Sequence, residues 1–300
     1  MATSDDNRNA RKAAFALAAK VILWAVTRLS HFTPRSVKDP LKAGRQLGLH
    51  VLFFRRGHLW NAQWNSVLGG EAQIGQTNPL REHFNNLVCG PGIWKWDHYF
   101  DVYHRYFKKF VNREVHILEI GVYSGGSLLM WKQYFGENCH IYGVDVEQDC
   151  KVYEDDSTRI FIGDQANRQF WRSFKEQVPK LDIVVDDGGH KANQQIVSLE
   201  ELLPHLRPGG IYVCEDLETS LGLNGFTSYV NGLTHSLNMC ASESSPENNE
   251  RRIVTRTTLL QSAIRSVHIY PFVTVIEKRE APVAEFVAPK HGSMWQPFLR

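Results

Sequence analysis

The sequence predicts an α/β fold: a seven-stranded, mostly parallel sheet with helices on both faces, plus a helical N-terminal extension. Three observations predict it. From Trp94 onward, short apolar runs alternate with helical stretches, the pattern of successive βα units. Each of the first five runs ends at glycines or acids, at the end of the strand where an open parallel sheet binds its ligands. The last apolar stretch, Ser266–Lys278, holds two short runs around Tyr270 and Pro271. That suits a terminal strand pair with at least one antiparallel member.

The elements follow in order. Residues 1–11 are polar, and Lys12–Leu29 is apolar and free of acids. Phe15, Ile22, Val26 and Leu29 share a helical face, but Lys20 and Arg28 interrupt the stretch, so it makes a poor spanning helix. Asp5 and Asp6 stand where a signal peptide carries basic residues. Three readings of 12–29 stay open: a helix packed on the domain or on another subunit of a homo-oligomer, one lying at a membrane surface, or a targeting or anchoring segment. Residues 30–93 show weak periodicity and read as a loop-rich extension with one or two short helices. The domain proper is expected over 94–300.

Trp94–Phe110 reads as a helix with a broad aromatic face, more suited to packing than to lining a pocket. Strands are expected at Val115–Ile120, His140–Val144, Arg159–Ile162, Leu181–Val185 and Gly210–Cys214. Helices are expected at Ser127–Tyr134, Gln169–Gln177, Asn193–Leu203 and Thr257–Ser266. Residues 221–250, rich in Ser, Asn, Gly and Glu, read as a long loop that could cover a site. The tail from Arg279 reads as irregular.

Composition narrows the function classes. The chain has 300 residues, 43% hydrophobic and 22% charged, enough for an ordinary core. Its net charge is +2, and no basic stripe points to nucleic acid. Five cysteines, Cys89, Cys139, Cys150, Cys214 and Cys240, form no CxxC pair, which argues against a disulfide framework or zinc site and for a reducing, cytoplasmic setting.

The first strand leads into Glu119, Gly121, Tyr123, Ser124, Gly125 and Gly126. Glycines there let the backbone turn tightly beside a ligand. The second strand ends at Asp145, placed to accept hydrogen bonds from ribose hydroxyls. This spacing suits a dinucleotide or an S-adenosyl cofactor. The loop reads GxxxGG rather than GxGxxG, which counts against pyrophosphate binding, and the acid at Glu119 favours the S-adenosyl form.

Asp186 and Asp187 follow the fourth strand and Glu215 and Asp216 the fifth. One helix and one strand separate the pairs, so they should lie side by side. Carboxylates converging on one cleft repel each other, and a hard divalent cation such as magnesium compensates. His190, three residues after Asp187, is placed to take a proton from a hydroxyl held there.

The run LEIGVYSGGSLLMWKQYFG, then HIYGVDV, IGDQ, DIVVDDGGH and LEELLPHLRPGGIYVCEDLETS, resembles the macrolide-sugar O-methyltransferases of the mycinamicin and tylosin type and cephalosporin-hydroxylase-like sequences. The resemblance covers about residues 94–278, with KWDHYFDVY before the first strand and SVHIYPFVTVIEK at the end. It implies a Rossmann-like class I methyltransferase that moves a methyl group from S-adenosylmethionine to a hydroxyl with magnesium. It implies Asp187, Glu215 and Asp216 as metal ligands and His190 as base. It places Glu119, Gly121, Asp145, Asp164 and Gln165, with Tyr123, Ser124 and Gly125 of the loop, around the cofactor, and Asp186 near its methionine portion. Tyr123 stands where the wider superfamily often has glycine. The acceptor, a small molecule bearing a hydroxyl, does not carry over. Two rivals remain: a nicotinamide-type oxidoreductase on the same sheet, which the GxxxGG loop and the acidic strand ends disfavour, and a non-catalytic assembly protein, which keeping every site residue disfavours.

Overall fold

A computed structural model describes residues 77–217, 225–239 and 252–292, with Leu52, Arg56 and Gly57. Gln76–Arg300 is one compact unit, separate from Met1–Gly75. The expected helix over 12–29 and Cys240 lie outside the described residues.

The unit opens with two helices, α1 (Pro79–Asn86) and α2 (Tyr99–Phe107). The alternating part follows: β1 (Val115–Ile120), α3 (Gly126–Phe135), β2 (Cys139–Asp145), β3 (Thr158–Ile162), α4 (Arg168–Gln177), β4 (Leu181–Asp186), α5 (Ala192–Leu202) and β5 (Leu206–Cys214). Then come α6 (Gly225–Leu237), β6 (Arg252–Arg256), α7 (Leu259–Ala263), β7 (Ile264–Tyr270), β8 (Val273–Lys278) and β9 (Glu285–Pro289).

Seven strands form one sheet in the order β3-β2-β1-β4-β5-β8-β7. The first five pair in parallel; β8 and β7 are antiparallel. The chain runs outward from β1 in both directions, so a crevice opens between β1 and β4 at their carboxyl ends, where such sheets bind ligands. β1 and β4 are buried along their whole length, as strands covered on both faces must be.

Two apolar layers cover the sheet. On one face Tyr103, Phe107, Trp131 and Phe135 of α2 and α3 pack against Ile117, Ile183 and Val213. On the other, Trp171 and Phe174 of α4 and Val197, Leu199 and Leu202 of α5 pack against Leu118, Val184 and Tyr212. Cys89, Cys139, Cys150 and Cys214 are all free. Asn167 caps α4, accepting from the amides of Gln169 and Phe170 at 2.9 and 3.3 Å. Asn167→Ala is expected to cost about 1 kcal/mol in denaturant unfolding.

Several expectations need correction. Residues 225–237 are helical rather than loop: Phe226, Val230, Leu233 and Leu237 repeat at helical spacing and pack on the α4–α5 layer. The tail is not irregular throughout, since β9 pairs antiparallel with β6 in a small second sheet. The helix expected over Thr257–Ser266 spans only Leu259–Ala263, because Ile264 and Val267 already pair with β8. The aromatic helix starts at Tyr99, and Trp94, Lys95 and Trp96 precede it outside any helix or strand.

Candidate active site

A cavity of about 750 Å³ lies over the carboxyl ends of β1, β2 and β4. Gly121, Tyr123, Asp145, Gln165, Asp187, His190 and Asp216 line it, together with Trp94, Lys95 and Trp96.

The glycine loop forms one wall. Gly121 has φ +90°, a conformation that glycine adopts without strain. A Cβ on Gly121 would drive into the carbonyl oxygen of Asp187. Gly125 has φ +72°, and a Cβ there would come within 2.7 Å of the Tyr153 ring. Asp145 Oδ2 accepts from the amides of Val122 and Tyr123 at 2.9 and 3.0 Å, and Oδ1 accepts from Glu147 N at 3.0 Å. The same carboxylate therefore pins the loop and faces the cavity. Tyr123 is exposed, with φ +49°. Ser124 and Gly125 do not line the cavity, and Gly125 N donates to Val122 O at 2.8 Å within the loop.

Glu119 lies deeper, fully buried at the end of β1. It accepts from Ser127 Oγ at 2.7 Å and Trp131 Nε1 at 3.1 Å, both from α3. Burial pushes its pKa up, against the pull of Lys95. It does not line the cavity. Asp164 is exposed and accepts from Ala166 N at 2.8 Å, capping a turn outside the lining.

Gln165 organises the floor. Its Nε2 donates to Asp186 Oδ1 at 3.0 Å and Ser198 Oγ at 3.2 Å, and its Oε1 accepts from Gly189 N at 2.7 Å. Asp186 also accepts from Tyr212 Oη at 2.9 Å. Burial pushes the Asp186 pKa up to about 6, opposed by those hydrogen bonds. This network fixes the turn that presents Asp187 and His190.

Asp187, His190 and Asp216 come together, each offering a ligand atom within 4.8 Å of the others. His190 Nε2 lies 3.6 Å from Asp216 Oδ2. His190 and Asp216 hold φ near +53° and +52°, strained for side-chain-bearing residues and common where function demands it. The Tyr99 hydroxyl accepts from Asp216 N at 3.2 Å and lies 3.0 Å from Asp216 Oδ1, anchoring that strand end to α2. The two carboxylates fit a hard divalent cation completed by water, with the imidazole of His190 beside it.

Glu215 does not join that trio. It is fully buried, accepts from the Tyr103 hydroxyl at Oε1 and lies 3.1 Å from Lys95 Nζ at Oε2. Burial pushes its pKa up, with Asp187 adding and Lys95 opposing. Lys95 is the residue that sequence reading missed. Its Nζ also donates to Asp187 Oδ2 at 2.8 Å. Burial disfavours its charge, but Asp187, Glu215, Tyr103 and Glu119 outweigh that and hold its pKa above the ordinary lysine range. The aromatic run divides its labour. Tyr99, Tyr103 and Tyr106 are packing residues as expected, whereas Trp94 (86% exposed) and Trp96 stand at the cavity mouth, on either side of Lys95.

Known proteins resemble this chain over the same region. Residues 118–217 match the family model described as a methyltransferase domain. Mycinamicin VI 2''-O-methyltransferase of Micromonospora griseorubida is 32% identical over 191 residues, 61% of this chain and 45% of the relative. Demethylmacrocin O-methyltransferase of Streptomyces fradiae is 36% identical over 150 residues, 48% of this chain and 36% of the relative. The chain thus spans less than half the length of these relatives. Among solved structures, the MycE methyltransferase from the mycinamycin pathway, in complex with Mg, SAH and mycinamycin VI, superposes with a TM-score of 0.54 at 26% identity. The match covers 81% of this chain and 62% of that one.

Proposed function

We propose that this chain, whose residues 118–217 match a methyltransferase domain and which is similar to the macrolide-sugar O-methyltransferases, methylates a hydroxyl of a sugar or another polyhydroxylated small molecule. The observation that carries the reading is the meeting of Asp187, His190 and Asp216 at the mouth of a cavity walled by the glycine loop and Asp145.

S-adenosylmethionine would supply the electrophilic methyl group, and a divalent cation would lower the acceptor hydroxyl's pKa. Asp145 and the Gly121–Gly125 loop would hold the cofactor's ribose side, and Gln165 would hold the floor beneath it. Glu119 and Asp186 would face its methionine end through the groups they fix. Asp187 and Asp216 would hold the cation, whereas Glu215, which the resemblance implies as a third ligand, is taken up by Lys95 and Tyr103. His190 takes up the acceptor's proton, and Asp216, 3.6 Å from Nε2, stabilises the imidazolium that forms. The chain's contribution is orientation and preset charge.

The test is transfer of a radiolabelled methyl group from S-adenosylmethionine to a panel of glycosides and polyols. Transfer that EDTA abolishes and added Mg²⁺ restores is expected, and Asp187→Asn should lose at least about 100-fold. Transfer unaffected by EDTA would remove the metal from the account. No transfer to any polyhydroxylated acceptor would favour a non-catalytic role.

A further inference from the structure

Lys95 sits where three neighbouring strands end. Its Nζ lies 2.8 Å from Asp187 Oδ2, 3.1 Å from Glu215 Oε2 and 3.4 Å from Glu119 Oε1. Those carboxylates belong to the ends of β4, β5 and β1, which are adjacent in the sheet. Nζ donates to Asp187 and Glu215, and Glu119 Oε1 is an ion-pair contact without a hydrogen bond. The side chain is only 2% exposed, and the Tyr103 ring lies 5.8 Å from Nζ. Lys95 is buried while its neighbours Trp94 and Trp96, 86% and 48% exposed, line the cavity. Among the described residues, ion pairs to Glu119, Asp187, Glu215 and Asp216 come from Lys95 and His190 alone.

A carboxylate has two oxygens. Asp187 gives Oδ2 to Lys95, and the same carboxylate offers an oxygen within 4.8 Å of ligand atoms of His190 and Asp216. The ammonium and the cation's seat therefore share one aspartate. We propose that Lys95 is the resident counter-ion of this site: it holds Asp187 and Glu215 in position when no divalent cation is bound, and by its charge it weakens the cation's binding beside it. The inference rests on the metal reading above. It gives Lys95 a positioning role, since its ammonium is spent on carboxylates. Preset carboxylates then need no rearrangement when the cation enters, and the cation stays exchangeable.

The test uses the full chain, with Mn²⁺ as the probe, titrated calorimetrically, and thermal melting in its absence. Lys95→Met is expected to melt below the wild type without metal, and to bind Mn²⁺ about tenfold tighter, because an opposing charge is gone. Lys95→Arg should keep Mn²⁺ affinity within about threefold of the wild type, since charge is preserved. Lys95→Met/Glu215→Gln removes one charge of each sign and should recover much of the lost melting temperature. A purely structural lysine would lower stability without tightening Mn²⁺ binding, and that result overturns the proposal. If Lys95→Met does not fold, the double variant decides: folding with near wild-type Mn²⁺ affinity supports the counter-ion, and failure to fold overturns it. A wild type that binds S-adenosylmethionine but no Mn²⁺ ends the metal reading, whereas the Lys95–Glu215 coupling in melting temperature still reports the counter-ion.

Discussion

Replacing His190 with alanine is expected to lower methyl transfer by about 10²–10⁴-fold while S-adenosylmethionine binds almost as before. The imidazole sits at the cavity edge, 3.6 Å from Asp216, on a turn held by Gln165 and Gly189. The groups that wall the cofactor side, Asp145 and the glycine loop, do not hydrogen-bond to it. Rate and affinity should therefore separate. Single-turnover transfer and cofactor titration, run on the same preparation, check this. Loss of cofactor binding in His190→Ala would show that the residue supports the site rather than moving a proton.

Gly121→Ala is the second large effect, and it works the other way round. The backbone at Gly121 has φ +90°, and a methyl group there meets the Asp187 carbonyl, which belongs to the neighbouring strand end and cannot swing aside. Strained backbone and forced contact together cost about 2–5 kcal/mol. The damage should fall on the junction of β1 and β4, where Asp187 N donates to Ile120 O at 3.0 Å. Both cofactor affinity and the Asp187–His190–Asp216 grouping should suffer. Denaturant unfolding and cofactor titration should fall together, whereas a variant with wild-type stability and binding would show that the loop has room to relax.

Much of this was legible in the chain because the physics was local. Val115–Ile120 is an apolar run ending at glycine, and it folds as read; the strands ending at Asp145 and Asp186 were read to within a residue at each end. β5 begins at Leu206, four residues before its expected start at Gly210, and runs through Pro208 and Gly209, the latter at φ +76°. α6 was obscured by its Ser, Asn and Gly content, although Phe226, Val230, Leu233 and Leu237 carried the helical period. The pairing of β6 with β9 joins segments some thirty residues apart and leaves no local mark.

The site divides along the same line. Asp187, His190 and Asp216 were found because each follows a strand, and strand ends in this architecture share a face. The different surroundings of Glu215 were not legible, because they depend on Lys95 and Tyr103, 120 and 112 residues away in sequence. Lys95 itself gave no signal: one lysine in an aromatic run reads as surface until tertiary packing buries it among carboxylates.

Calorimetric titration of S-adenosylmethionine into the full chain, with and without Mg²⁺ and with NADH as the competitor ligand, tests the central claim most directly. The account predicts micromolar binding of S-adenosylmethionine, no heat from NADH, and a separate Mg²⁺ signal that Asp187→Ala removes. Binding of NADH in place of S-adenosylmethionine, or no cofactor binding under any of these conditions, would contradict it.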